Sequence, residues 1–206
     1  MGFIKKREIY DAGNTPIWLS VDRRKTAGGT LKTLPEAPAL IPAGTPAYLD
    51  EMGGEITLLE TFRIAKEVTA SDTSVEVEAL GNVPQITKDQ IVMKAPASFS
   101  EKGKAVKVGA VSDGSTAGTK KFTITAGALG TLAVGDILVV ADKAGEDASI
   151  VTKPNGLIWH DLYVREGDFA QTGAVVVSGS ILEERISPVP DVVKQALPMI
   201  TFEKEA

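Results

Sequence analysis

The 206-residue chain is 43% hydrophobic and 24% charged with a net charge of −5, the balance of a soluble folded protein without the concentrated basic surface that nucleic acid requires. It has no cysteine and one histidine, which excludes disulfides, thiolate catalysis, zinc–thiolate sites and metal centres built on several imidazoles. Aromatic residues are scarce at 5%, whereas 20 glycines and 11 prolines make turns frequent and strands short.

Residues 1–35 carry seven basic and three acidic side chains, a local charge of +4 in an otherwise acidic protein. Phe3, Ile4, Ile9, Tyr10, Ile17, Trp18, Leu19 and Val21 follow no sustained period of 2 or 3.6. Gly28-Gly29 is a flexible break, and Pro35, Pro38 and Pro42 resist regular structure. The expectation is an extended N-terminal arm, mobile when free, that orders along a partner. The alternative is a strand lying on its own domain with Lys and Arg as a solvated face. No run reaches the ~18 apolar residues of a membrane-spanning helix, and the first residues lack the apolar stretch of a signal peptide. We therefore expect cytoplasmic synthesis and no membrane partner.

Residues 36–64 alternate turns and strands: Ala39-Leu40-Ile41, the Pro42–Gly44 turn, Thr45–Leu49, a turn at Met52-Gly53-Gly54, then Glu55–Leu59. Residues 65–152 have their own rhythm. Ser74-Val75-Glu76-Val77-Glu78 and Lys121-Phe122-Thr123-Ile124-Thr125 alternate as half-buried strands do. Each is followed by Ala-Leu-Gly and then by an apolar strand, Gln90–Met93 and Gly135–Val140, a likeness that reads as convergent hairpin chemistry rather than a weak internal repeat. This segment is expected to be an inserted β domain, entered near Arg63–Lys66 and left near Thr152–Pro154, and removable without unfolding the remainder.

From residue 153 the first domain resumes. Pro154-Asn155-Gly156 is a turn, Leu157–Val164 a β-rich run, and Ala174–Ile186 another. Ser187–Pro190 stops strand pairing, Asp191–Leu197 makes about two helical turns, and Met199–Phe202 is a last strand. The fold class is mainly β: a small barrel or sandwich from 36–64 plus 153–206, with the arm, one short C-terminal helix and the inserted second β domain.

The order of these elements resembles the capsid decoration and head-fibre proteins of tailed bacteriophages. The matching residues are Asn155-Gly156-Leu157, Asp161–Val164, Ala174–Ile181, Val189–Pro198 and Ile200-Thr201-Phe202, with the Ile41–Pro46 turn as a second block. The resemblance implies a structural virion protein on the outer capsid surface, assembled in the bacterial host cytoplasm. It would be a homotrimer seated on the major capsid protein, with another head-fibre protein as a second candidate partner. The capsid-contact residues would be Phe3, Ile4, Lys5, Lys6, Arg7, Ile9, Tyr10, Ile17, Trp18, Arg23 and Arg24.

The sequence offers no catalytic signature. His160 beside Asp161 on a strand would point to the opposite face, so the pair builds no dyad. Gly127-Ala128-Leu129-Gly130 lacks the spacing and the Lys-Ser/Thr of a phosphate loop. Asp136, Asp142, Glu146 and Asp147 fit no calcium loop, and Glu183-Glu184-Arg185 reads as a solvated strand edge. No enzyme activity, cofactor or metal is expected. A glycan-adhesion module in the insert is the alternative function; Phe62, Phe99 and Phe122 are the only aromatics near it, without the Trp or Tyr that sugar stacking commonly uses. Trp159, among Leu157, Ile158 and Leu162, reads as core.

Overall fold

The computed structural model describes residues 17–79 and 85–205 and is mainly β with one short helix. The first segment holds β1 (Trp18–Leu31), β2 (Ala39–Ile41), β3 (Pro46–Asp50) and β4 (Glu55–Leu58). The middle segment holds β5 (Thr61–Arg63), β6 (Ser74–Glu78), β7 (Ile91–Lys94), β8 (Gly103–Lys107), β9 (Val111–Asp113), β10 (Thr119–Thr123), β11 (Ile137–Val140) and β12 (Gly145–Ala148). The last segment holds β13 (Gly156–Ile158), β14 (Leu162–Val164), β15 (Thr172–Leu182), α1 (Asp191–Ala196) and β16 (Ile200–Glu203).

Five strands close a barrel in the order β1-β4-β3-β13-β15, with β15 returning to β1; β16 extends the sheet beyond β15 in parallel. The β1–β15 ladder is antiparallel and long, from Trp18 opposite Ile181 to Thr30 opposite Thr172. The β1–β4 seam is parallel and consists only of Thr30 with Glu55 and Leu31 with Ile56. Inside the barrel lie Leu31, Ala47, Leu49, Ile56, Ile158 and Val175, joined by Ile41, Leu162 and Val164 from the separate β2–β14 pair. The barrel is narrow enough to need glycine: a Cβ on Gly29 would stand 2.6 Å from Leu49 Cδ1 and 2.8 Å from Ile56 Cγ1. Gly179 lies in the bulged half of the β1–β15 ladder, where a Cβ would collide with the Ser20 carbonyl.

Two polar side chains from the last segment lock the turns. Asn155 accepts from Leu49 N at 2.9 Å through Oδ1 and donates to Leu49 O at 3.0 Å through Nδ2, so its amide acts as one more rung of the ladder. Asp161 Oδ1 accepts from Ala43 N at 2.8 Å. That bond pins a bend at Trp159–Asp161, which divides the expected continuous strand 157–164 into β13 and β14 on different sheets. Asn155→Ala removes two partly buried hydrogen bonds, so it should lower unfolding stability by about 1–3 kcal/mol. Urea denaturation of the two proteins checks this.

The middle segment forms a five-stranded sheet, β12-β8-β7-β11-β5, and a three-stranded sheet, β6-β10-β9. Phe62, Ile64, Val75, Val77, Phe122, Leu132 and Leu138 belong to the cluster that packs this segment. The two alternating strands, β6 and β10, pair with one another, and so do the strands that follow them, β7 and β11. Val140 N donates to Glu60 O at 3.2 Å and Val140 O accepts from Val151 N at 3.1 Å, so the segment is entered and left at one place. Its lower boundary is near residue 60 rather than 65, because β5 pairs with β11.

The expected arm also needs correction. In its described half, β1 is held along the chain's own barrel, because β15 supplies a ladder that local sequence cannot reveal. A third cluster crosses the two bodies. It joins Met93, Ala105, Val139, Ala141, Ala148 and Ile150 of the middle segment to Leu157, Ile181, Ile186, Val189, Val193, Leu197 and Ile200 around α1.

Candidate interaction surface

Of the eleven expected contact residues, Phe3, Ile4, Lys5, Lys6, Arg7, Ile9 and Tyr10 lie outside the described residues, and Ile17, Trp18, Arg23 and Arg24 lie on or next to β1. Among the described residues, that strand is paired between Trp18 and Lys25 along one edge only, to β15; β4 reaches it further on, at Thr30. Residues 19–24 are all exposed, Leu19 at 54%.

Trp18 is not without a home in its own chain. Its ring packs with Ile17 against the shared cluster, and Nε1 donates to Trp159 O at 2.8 Å. Trp159 is half-buried rather than core, because the bend at 159–161 turns it out of the barrel. The Arg24 guanidinium carbon sits 4.0 Å from the Trp159 ring centroid, and His160 meets the same ring edge-on at 5.4 Å. Such a cation–π contact contributes about 0.5–1 kcal/mol at an exposed site. Arg23 and Arg24 form no ion pair among the described residues. The result is a patch of Trp, His, two guanidinium groups without an ion pair and exposed aliphatic side chains, along a strand edge that is open among the described residues. Buried Trp and Arg are the usual energetic anchors of interfaces.

Exposed His160 meets Trp159 edge-on, while the Asp161 carboxylate is engaged by Ala43 N. Three of the four scattered acids are separately employed: Asp136 accepts from Lys94 Nζ at 2.7 Å and Ala133 N at 2.9 Å, Asp142 from Ser149 N at 2.8 Å, and Glu146 pairs with Lys104 at 3.1 Å. Among the described residues no three His, Asp or Glu side chains gather as a metal site. Glu183 pairs with Lys194 on α1 at 2.5 Å. No helix among the described residues is long and apolar enough to cross a membrane.

Sequence reasoning missed two carboxylates. Glu76 sits mid-strand between Val75 and Val77, where alternation predicts exposure, yet it is only 7% exposed. The 113–119 loop folds over it: Oε1 accepts from Thr119 Oγ1 at 2.6 Å and Ser115 N at 2.7 Å, and Oε2 from Ser115 Oγ at 2.8 Å. These bonds, the Thr119 hydroxyl foremost, hold its pKa down to about 2. Glu60 lies at the junction of the two bodies with Gln90 Nε2 as its hydrogen-bond donor, and burial raises its pKa to about 7. The Ser-rich 110–118 composition was the available signal for the first; a lone acid in Leu-Leu-Glu-Thr-Phe was the signal for the second.

Comparison with known protein families, with curated proteins and with solved structures finds no match.

Proposed function

We propose that this chain is a structural protein of a phage head, a decoration or head-fibre protein that binds the outer surface of the capsid as a homotrimer. The observation that carries the reading is where the resembling residues fall. The Ile41–Pro46 turn, Asn155–Leu157, the Asp161–Val164 run, Ala174–Ile181 and the stretch from Val189 to Phe202 all belong to the barrel, its β2–β14 pair, α1 and the added strand β16. Asn155 and Asp161, which carry part of the resemblance, are the side chains that lock the barrel's turns.

In this reading the open edge of β1, with Arg23, Arg24 and the Trp18–Trp159 pair, faces the major capsid protein. The middle segment projects away. A clamp that binds only the assembled shell stabilises that shell by mass action.

The charge reversal Arg23→Glu/Arg24→Glu should lower occupancy on isolated particles by tenfold or more while leaving the thermal unfolding midpoint within a few degrees of the parent. Lys32→Ala, at the other end of β1, should change occupancy little. Equal occupancy for all three proteins overturns the assignment of this surface. Solution mass measurement checks the trimer, and a monomer both in solution and on the particle overturns it.

A further inference from the structure

We infer that Asn155-Gly156 is a site of spontaneous covalent modification, deamidation of the Asn155 carboxamide, which stands open in the unfolded chain and is shut by closure of the barrel. In an Asn-Gly pair the backbone nitrogen of the glycine attacks the side-chain Cγ of the asparagine. The Cγ–Nδ2 bond breaks, ammonia leaves and a cyclic imide remains. Water then opens one or other of the imide's C–N bonds, giving aspartate or, where the chain now runs through Cγ, iso-aspartate. Water is the only co-reactant. Glycine permits the attack because it has no side chain to hinder the approach. Of the chain's three asparagines, Asn155 alone precedes a glycine; Asn14 precedes Thr15 and Asn82 precedes Val83. The inference concerns the barrel's own chemistry and goes beyond the capsid-binding reading.

The folded chain holds the reacting atoms apart. The carboxamide is clamped by the main chain of Leu49, Oδ1 accepting from Leu49 N at 2.9 Å and Nδ2 donating to Leu49 O at 3.0 Å. Cyclisation requires Cγ to leave both partners and fold back over the next peptide nitrogen. That nitrogen belongs to Gly156, which is buried in β13 between β3 and β15. The space around it is filled: a Cβ on Gly156 would stand 2.4 Å from both Val175 Cγ1 and Val176 O. Asn155 N is itself tied to Ala47 O at 3.0 Å, so the backbone before the side chain is fixed as well. Burial of Gly156 also keeps out the water that must open the imide.

Neither product rebuilds the lock. Aspartate offers an acceptor where Leu49 O needs a donor, and sets a charge against that carbonyl. Iso-aspartate puts an extra methylene into the backbone at the start of β13, which throws the pairing of Leu157 with Pro46 and Val176 out of step. The modification therefore runs one way. It marks chains whose barrel has not closed, and a chain carrying iso-aspartate is no longer able to close it. The Leu49 clamp thus protects the bond next to it as well as fixing the turn.

The test is peptide mapping by mass spectrometry of the full chain, incubated at mildly alkaline pH with and without denaturing urea. Asn155 should convert at least about tenfold faster in urea, because the folded chain reacts only through its opened state. Asn14 and Asn82 should convert far more slowly than Asn155 in urea. Gly156→Ala, compared in urea where folding plays no part, should slow the conversion of Asn155. When the urea is diluted out, iso-aspartyl chains should collect in the fraction that fails to refold, separated by size-exclusion chromatography. Equal rates in the folded and unfolded chain, no preference for Asn155 over the other two asparagines, an unslowed Gly156→Ala chain, or equal iso-aspartate in the refolded and unrefolded fractions would each overturn the proposal.

Discussion

Replacing residues 60–152 by a short Gly/Ser linker is expected to abolish cooperative folding of the remainder. The sequence favours the opposite outcome, since an inserted domain entered and left at one place is ordinarily dispensable. The shared cluster decides between them. Met93, Val139, Ala141 and Ile150 cover the same apolar surface as Leu157, Ile181, Val193 and Ile200. Re-exposing four side chains of that size costs about 6–12 kcal/mol at roughly 1.5–3 each, as much as the whole stability of a typical domain. Circular dichroism and urea titration of the excised protein check the result. A folded remainder with a sharp transition overturns it. A point variant supplies independent evidence: Val139→Asp should lower the unfolding midpoint of both bodies together, in one transition.

A second large effect is expected from pH. Desolvation is the main influence on Glu60 and raises its pKa from 4.5 to about 7, with the Gln90 amide opposing it. The folded chain therefore holds this proton more tightly than the unfolded chain. The resulting stabilisation is fully present below pH 4.5 and is lost as pH rises toward 7. The difference corresponds to about 3 kcal/mol at most. Glu76 acts in the reverse direction: its lowered pKa gives stability that is present above pH 4.5 and lost as pH falls toward 2. These two groups together put the maximum near pH 4.5. Glu60→Gln keeps a side-chain oxygen that can accept from Gln90 and removes the ionisable group, so it should flatten the fall above pH 4.5 and leave the variant about 3 kcal/mol more stable at pH 8. Urea midpoints of both proteins across pH 4.5–8 measure this, and parallel profiles overturn it.

The elements that announced themselves in the sequence are those whose pattern is local. Ser74–Glu78 and Phe122 with its neighbours alternate, Pro190-Asp191 opens a helix, and Ile200–Phe202 closes the chain as a strand. What stayed hidden depends on distant partners. Asp-Arg-Arg-Lys-Thr-Ala-Gly-Gly has poor strand propensity, yet it lies within β1 because the β15 ladder satisfies its backbone along one edge. Gly-Glu-Asp-Ala is a strand only because β8 lies beside it. Trp159 was misjudged because a hydrophobic neighbourhood in sequence says nothing of a bend fixed by Ala43, more than a hundred positions away. The surface cluster was therefore only half legible: Trp18, Arg23 and Arg24 were among the expected contact residues, whereas their meeting with Trp159 was hidden.

The long β1–β15 ladder also dictates the order in which the molecule can assemble during translation. The hydrogen bond from Trp18 to Trp159 spans 141 positions, and β15 is made only after that. At ~5–20 residues per second the ribosome takes roughly 8–30 s to travel from one strand to the other. The 60–152 segment, whose strand pairings among the described residues are all internal to it, is finished well within that interval. It is then a ready platform, presenting the apolar face on which the C-terminal strands and helix gather as they emerge. The strand synthesised first is thus among the last to be seated, and the nascent chain carries Trp18, Leu19 and Val21 unpaired until its end is nearly complete.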